Sequence, residues 1–177
     1  MDKSHGKELR TSRLLLRGAK DGDAQSLFEC FSDYELMKYW STLPHKSIEE
    51  TEEWVQGMVS SSQNGYTDFV IVDHQSNTAI GKIGIWSGSE IGFMIARSRW
   101  RQGLVSEALA ATLTYYFNDL ELEQITADVD PRNAASINIL KKFGFEVVGQ
   151  REKTFEIGGV WVDSLDLSLT REQWKRQ

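Results

Sequence analysis

Trp100-Arg-Gln-Gly-Leu-Val-Ser-Glu-Ala-Leu109 is a polar turn with one glycine that runs directly into an apolar-periodic segment. Before it, Glu90 to Ala96 has the composition of a strand. After it, Leu109, Leu113, Tyr116, Phe117 and Leu120 recur with a period near 3.6, predicting a helix that begins near Leu104 or Val105. A strand, a glycine turn and a helix N-terminus together make a seat for an anion. The first N–H groups of the helix lack partners, and its dipole leaves about half a positive charge there. Arg101 adds a formal charge at the same place.

The turn is not a Walker A loop: Gly81-Lys82 has neither the upstream glycine nor the following Ser/Thr. It is not a dinucleotide fingerprint either, because G-x-G-x-x-G is absent. Read by itself, a lone glycine before a helix is an anion seat or simply a turn.

Outward from this segment the chain alternates in kind. Leu14-Leu-Leu16, between two arginines, predicts a first strand. Asp21 is a candidate N-cap for a helix with Ala24, Leu27, Phe28 and Phe31 on one face. Ser47 and Glu50 form a capping box for a second helix, with Trp54, Val55, Met58 and Val59 on its apolar side. Ser60 to Gly65 reads as a loop. Phe69–Val72, Ala79–Trp86 and Glu90–Ala96 then form two successive hairpins. Ile125, Ala127 and Val129 alternate as in a half-buried strand. Pro131 stops it, and a short helix from about Ala134 to Phe143 ends at Gly144. Phe145–Gln150 and Val160–Leu169 are two more strands turning at Gly158-Gly159, and Thr170 with Gln173 caps a last helix. Residues 1–10 are polar and read as a disordered or tag-like tail, leaving 11–177 as one α+β domain.

The chain of 177 residues is long enough for one proper core; 40% hydrophobic and 26% charged residues are ordinary for a globular protein. A net charge of −6 and the lack of a Lys/Arg run with interleaved aromatics argue against a nucleic-acid surface. Cys30 is the one cysteine and falls on an apolar helix face, so burial is expected and no metal spacing exists. With no apolar leader region and no long apolar run, no membrane partner is expected, and a cytoplasmic location is the default. His5, His45 and His74 fall in tail, loop and turn, and surface placement is expected for each. The run Glu49-Glu-Thr-Glu-Glu53 reads as a solvated helix start. Trp40, Trp54, Trp86 and Trp161 are open between core and pocket wall.

The order of these elements, with Thr11-Ser-Arg-Leu-Leu-Leu-Arg17, Ile80-Gly-Lys-Ile-Gly84, Glu90-Ile-Gly-Phe93, Trp100–Leu109 and Asn133-Ala-Ala-Ser-Ile-Asn-Ile-Leu-Lys-Lys-Phe-Gly-Phe145, resembles the GCN5-related N-acetyltransferases (GNAT). Within them it is most similar to the RimJ/RimL-type branch that acetylates ribosomal-protein N-termini. The resemblance covers the chain from Thr11 to about Leu169.

It implies the GNAT fold: a strongly twisted, mixed seven-stranded sheet with helices on both faces and a splay between the fourth and fifth strands. It implies acetyl-CoA as cosubstrate, with the pantetheine arm against the strand edge at Phe93, Met94 and Ile95. The pyrophosphate would lie on the turn Arg101, Gln102, Gly103, Leu104, Val105 and Ser106, and Asn133 and Ser136 would lie beside the pantetheine and sulfur. It implies Glu90 as the base, working through water, and Ser136 as a weak proton donor. A backbone N–H around Met94 would meet the oxyanion.

The chain departs from the superfamily pattern Q/R-x-x-G-x-G/A at three positions. Trp100 stands at the first position, Arg101 where a second glycine is common, and Val105 at the last, where its side chain is expected to point away. Leu140 occupies the place of the tyrosine acid that many members carry, which excludes that acid here and weakens a polyamine reading.

On bare residue chemistry, Glu90 is equally an edge glutamate facing solvent, and Asn133 and Ser136 are equally helix caps. Amine acetylation also needs a neutral amine. About a tenth of an α-amine is neutral at pH 7 but below about 0.1% of a lysine, which favours a peptide N-terminus or an amino-acid-like small molecule. A polyamine or other small amine, a catalytically degenerate CoA-binding module and a purely structural partner protein stay as alternatives, and the C-terminal hairpin offers a surface for a homodimer.

Overall fold

In the computed structural model, residues 6–62 and 67–176 are described. One eight-stranded sheet runs through them in the order β1-β2-β3-β4-β5-β6-β8-β7. The strands are β1 (Leu9–Arg10), β2 (Leu14–Arg17), β3 (Asp68–Asp73), β4 (Thr78–Ser87), β5 (Glu90–Ile95), β6 (Gln124–Val129), β7 (Glu146–Ile157) and β8 (Val160–Thr170). The helices are α1 (Ala24–Phe31), α2 (Tyr34–Met37), α3 (Ile48–Ser62), α4 (Leu104–Thr114), α5 (Ala134–Lys142) and α6 (Arg171–Lys175). No helix among the described residues is long and apolar enough to cross a membrane.

Strand alternation sends the chain's apolar residues into two cores, one on each face of the sheet. Phe69 and Ile71 of β3 join Leu14, Leu16, Ile83, Leu109 and Leu113 under α4 and α5. Val70 and Val72, one residue out of phase, join Leu27, Phe31, Val55 and Met58 under α1 and α3. Each fully buried side chain of this size contributes about 1.5–3 kcal/mol of hydrophobic stabilisation, and a one-residue slip of β3 would exchange Phe69 and Ile71 for the smaller valines and mispack both cores at once.

The seven expected strands are present, and an eighth, Leu9–Arg10, pairs antiparallel with β2. The tail expected over residues 1–10 therefore gives way to sheet at Leu9; residues 1–5 lie outside the described residues. The extra strand also renumbers the splay, which falls between β5 and β6. These run parallel but pair at one position, Glu90 with Thr126, closed by Thr126 N–H to Ser89 O at 2.9 Å. Beyond it the two strands part.

Local expectations hold where neighbouring residues decide them. Gly144 has φ +85°, and a Schellman closure ends α5: Phe145 N–H donates to Leu140 O at 3.1 Å and Gly144 N–H to Lys141 O at 3.0 Å. Thr170 and Gln173 form the capping box of α6. Cys30 is buried, and burial pushes its thiol up to about 12, which leaves it unreactive.

Four local details differ. Asp21 does not cap α1; it begins a 3₁₀ turn and accepts from Gln56 Nε2 at 2.8 Å, while Asp23 binds Arg17 through both oxygens at 2.8 Å. Glu50 reaches past Ser47 to the N–H of Lys46, 2.9 Å away. α3 continues to Ser62 through part of the expected loop, whose remaining residues lie outside those described. Leu120 is 37% exposed because the chain after α4 widens into a π turn over Tyr115–Asp119, and the extra residue per turn rotates Leu120 off the buried stripe.

Candidate active site

A cavity of about 300 Å³ opens at the splay. Glu90 and Phe93 of β5, Asn133 and Ser136 at the start of α5, and Leu140 line it together. Glu90 starts the strand and its Oε1 accepts from Trp86 Nε1 at 3.2 Å. Burial raises its carboxyl above the usual range; the Trp86 bond opposes this and the Asp128 charge reinforces it. A carboxyl in that condition is a better proton acceptor than a solvated one.

Asn133 is the N-cap of α5, with its side-chain oxygen 3.2 Å from Ser136 N. Its capping role is thus realised, and it lines the cavity while performing it. Leu140 is fully buried at the cavity wall. Of the described tyrosines Tyr39 alone lines the cavity; Tyr116 is buried elsewhere, donating to Thr67 O.

The glycine turn lies at the other end of the splay, outside this cavity's lining. Gly103 has φ +75° and Arg101 φ +60°. Arg101 thus stands where glycine is common in the resembling family, in the left-handed conformation glycine takes without strain. The first main-chain bond of α4 runs from Glu107 N–H to Gly103 O at 3.0 Å, so the N–H groups of Leu104, Val105 and Ser106 have no helical acceptor. Val105 packs against the core, as expected of a side chain pointing away from the turn. Trp100 is 47% exposed, yet its Nε1 donates to Ile95 O at 2.9 Å, tying the turn to the edge of β5.

That edge corrects one expectation. Ala96 N–H donates to Ile80 O on β4 at 2.8 Å, and Met94 pairs with Lys82 of β4. In an antiparallel ladder alternate residues direct their polar groups to the same side, so Met94 directs its N–H and C=O at β4 and its side chain into the core. Phe93 and Ile95 turn their main-chain groups to the splay. A donor for an oxyanion on that edge is therefore Phe93 N–H or Ile95 N–H, not Met94 N–H. Adjacent residues on one strand cannot both face the gap, and the parity is set by the register with β4, which shifts between Ile85 and Ser87 and is not written in the residues of β5.

The cavity also collects residues that the sequence did not single out: Tyr39, Lys82, Asp128, Asp130, Phe155 and Asp163. Trp40, Trp54 and Trp86 line the cavity, although Trp86 is 66% exposed, while Trp161, on the outer hairpin, does not line it. Most of the charges are matched. Arg151 bridges Asp128 at 2.8 Å and Asp166 at 2.7 Å, Arg132 holds Asp130 at 2.6 Å, and Lys82 holds Asp68 at 3.0 Å. Burial raises the Asp130 carboxyl, but the Arg132 bonds outweigh it and keep it low. Glu90 and Asp163 are the lining carboxylates that form no direct ion pair among the described residues; Asp163 accepts from Lys153 N–H at 2.9 Å. Aromatic walls with two unmatched carboxylates suit an amine.

His45 is half-buried, stacked on Phe31 at 4.7 Å between ring centroids and bonded to Thr51 Oγ1 at 2.7 Å, not a surface residue. His74 is exposed and His5 lies outside the described residues.

The sequence profile of the acetyltransferase (GNAT) domain matches residues 13–146. The chain is 33% identical to the uncharacterized N-acetyltransferase YoaA of Bacillus subtilis over 80% of its own length and 84% of that protein's. It is 26% identical to the ribosomal protein uS5-alanine N-acetyltransferase of Escherichia coli, covering 94% and 92%, and 27% identical to the spermidine N(1)-acetyltransferase of Vibrio cholerae, covering 86% and 90%. Among solved structures, a GNAT-family acetyltransferase from Bacillus anthracis superimposes with a TM-score of 0.83 at 26% identity, covering 94% of this chain and 99% of the other.

Proposed function

Because the chain belongs to the GNAT acetyltransferases, we propose that it transfers the acetyl group of acetyl-CoA to a primary α-amine, with Glu90 as the base acting through water. The amine nitrogen forms the new bond to the thioester carbon, the carbon–sulfur bond breaks, and its electron pair leaves on sulfur. The amine proton passes to Glu90. The thiolate, whose conjugate acid has a pKa of about 8.5, is protonated by Ser136 or by solvent and needs no strong acid. This accords with Leu140 standing at the cavity wall where a tyrosine acid would be.

The observation that carries this reading is the placement of Glu90, Asn133 and Ser136 on one cavity at the single-pair splay of β5 and β6. Phe93 and Ile95 offer outward main-chain groups to the pantetheine. Arg101, Gln102 and Gly103 with the free N–H groups of Leu104, Val105 and Ser106 offer the pyrophosphate a cationic, donor-rich seat. Phe93 N–H, aimed into the gap, is the proposed oxyanion donor.

Thiol release from acetyl-CoA against a panel of peptides and small amines tests the reading. Release with some amine is expected, together with thermal stabilisation by CoA worth about 2.7 kcal/mol at 100 times Kd. Stabilisation without release across the panel would instead mark a CoA-binding module, and no stabilisation a structural protein.

A further inference from the structure

Lys82 sits mid-strand on β4 with a side chain 4% exposed. Its ammonium has three N–H donors. Among the described residues Asp68 Oδ2, at 3.0 Å, is its single acceptor, and the Trp54 ring lies 4.9 Å from it. Asp68 Oδ1 is buried and has no hydrogen-bond partner among the described residues. Two N–H groups of a buried ammonium thus have no acceptor among the described residues, and the residue lines the cavity that Glu90 lines. A buried donor without an acceptor is costly, and a site that keeps one beside a cavity is arranged for an acceptor that arrives from outside.

The sheet register places this group relative to Glu90. Lys82 pairs with Met94, and Glu90, Gly92 and Met94 alternate on one face of β5, so Lys82 and Glu90 share that face. Lys82 leans on Asp68, which pairs with Gly84, which in turn pairs with Gly92. The ammonium is thereby drawn toward the row of Gly92, two residues or about 7 Å along the strand from Glu90. Gly92 has no side chain to fill the gap, and the Trp40 ring lies 3.9 Å from where its Cβ would be. The slot has a carboxylate at one end, an under-bonded ammonium at the other, glycine below and indole above. A chain of carboxylate, water, amine, carbonyl and ammonium has three hydrogen bonds of about 2.8 Å and a covalent span of similar length from amine to carbonyl oxygen, roughly 11 Å of path, which bends to fit about 7 Å along β5 and one strand across to Lys82.

We propose that Lys82 binds the carbonyl oxygen on the carbon beside the acceptor's amine, and so selects α-amino carbonyl compounds over simple amines and polyamines. The proposal rests on the acetyl-transfer reading above. The Lys82–Asp68 pair is already charge-balanced, so a neutral carbonyl suits it, and a second ammonium on the acceptor would meet Lys82 as a like charge. A peptide N-terminus and a free amino acid both present this oxygen, and the test separates them.

Thiol release is measured for alanyl-alanine amide, free alanine, isopropylamine and spermidine, with wild type, Lys82→Met and the double variant Lys82→Met/Asp68→Asn, which leaves no buried unpaired carboxylate. Thermal melting confirms that the variants compared are folded. Wild type should favour alanyl-alanine amide over isopropylamine and spermidine by about tenfold or more in kcat/KM, the worth of one hydrogen bond to a charged group. In the variants this ratio should fall by a similar factor, mainly through KM. Free alanine at or above the peptide would identify the amino acid as the source of the oxygen. An unchanged ratio in a folded variant, or a wild-type preference for spermidine, overturns the proposal. If no amine supports release, the acetyl-transfer reading fails. Calorimetric binding of alanyl-alanine amide against isopropylamine to the CoA-loaded protein then decides on Lys82, and equal or absent binding overturns its role.

Discussion

Arg13 and Glu107, 94 residues apart, are joined by a bond from Arg13 Nε to Glu107 Oε2 at 2.7 Å. Arg13 N–H and the hydroxyls of Thr11 and Ser12 converge on Oε1 of the same carboxylate, at 2.9, 2.6 and 3.1 Å, and Arg13 Nη1 reaches Gln102 O at 2.8 Å. The segment entering β2 thus grips both the first turn of α4 and the loop proposed to seat the pyrophosphate. Arg13 and Glu107 are positioning residues for that loop.

The first prediction concerns pH. Burial raises the Glu107 carboxyl, but the bonds from Thr11, Arg13 and Ser12 outweigh it and hold it at about 2, against an ordinary 4.5. A carboxyl depressed on folding contributes stability that is full above its unfolded value and is lost as pH falls toward the folded one. Glu107 should therefore contribute about 1–2 kcal/mol above pH 4.5, after allowance for solvent screening, and lose it between pH 4.5 and 2. Urea unfolding of Glu107→Gln should show a lower stability at pH 7 and a flatter decline over that window.

Glu90→Gln should reduce kcat by about 10²–10⁴, the usual contribution of a general base, while CoA binding measured by calorimetry changes little. Trp86→Phe removes the bond that lowers the Glu90 carboxyl, so the acid limb of the kcat/KM profile should move to higher pH. A limb that stays in place would remove Glu90 from the base role.

Arg101 pays for its left-handed backbone, roughly 1–2 kcal/mol for a residue other than glycine. Arg101→Gly relieves that strain and loses part of the gain to the looser unfolded chain, for a net stabilisation of about 0.5 kcal/mol. CoA binding should weaken in the same variant through the lost charge. Paired denaturant and calorimetric titrations would show the two effects with opposite sign.

A Cβ on Gly84 would lie 2.3 Å from Asp68 Cα and 2.5 Å from Thr67 O, both main-chain atoms of the adjoining segment. Gly84→Ala should cost about 2–3 kcal/mol by forcing β3 and β4 apart, lowering Tm by roughly 5–10 °C. Gly57→Ala, on the exposed side of α3 with nothing within 4 Å, should leave Tm unchanged or higher.

The fold was legible because its signals are short-range. The alternation of Ile125, Ala127 and Val129, the glycine after α5 and the polar turn before α4 each act within a few residues, and the resemblance added their order. The site was legible in part: Glu90, Asn133 and Ser136 meet on one cavity, as their motifs implied. Lys82 was not legible, because a lysine between two strand residues has the appearance of a solvent-facing alternation until α3 covers it. Nor was the division of the tryptophans, since Trp86 and Trp161 are both largely exposed and differ only in that Trp86 borders the cavity.

By itself the sequence determined most of the elements, the glycine turn before α4 and the family, because steric, hydrogen-bonding and periodic constraints between near neighbours are written in consecutive residues. Tertiary structure alone decided that the main-chain groups of Phe93 and Ile95, not those of Met94, face the splay, that Arg13 holds Glu107, and that Lys82 is buried against Asp68 at the cavity. Each of these depends on strand register or on a charge partner in another segment, 94 residues away for Arg13 and Glu107, and those are set when the sheet assembles and excludes water between its layers.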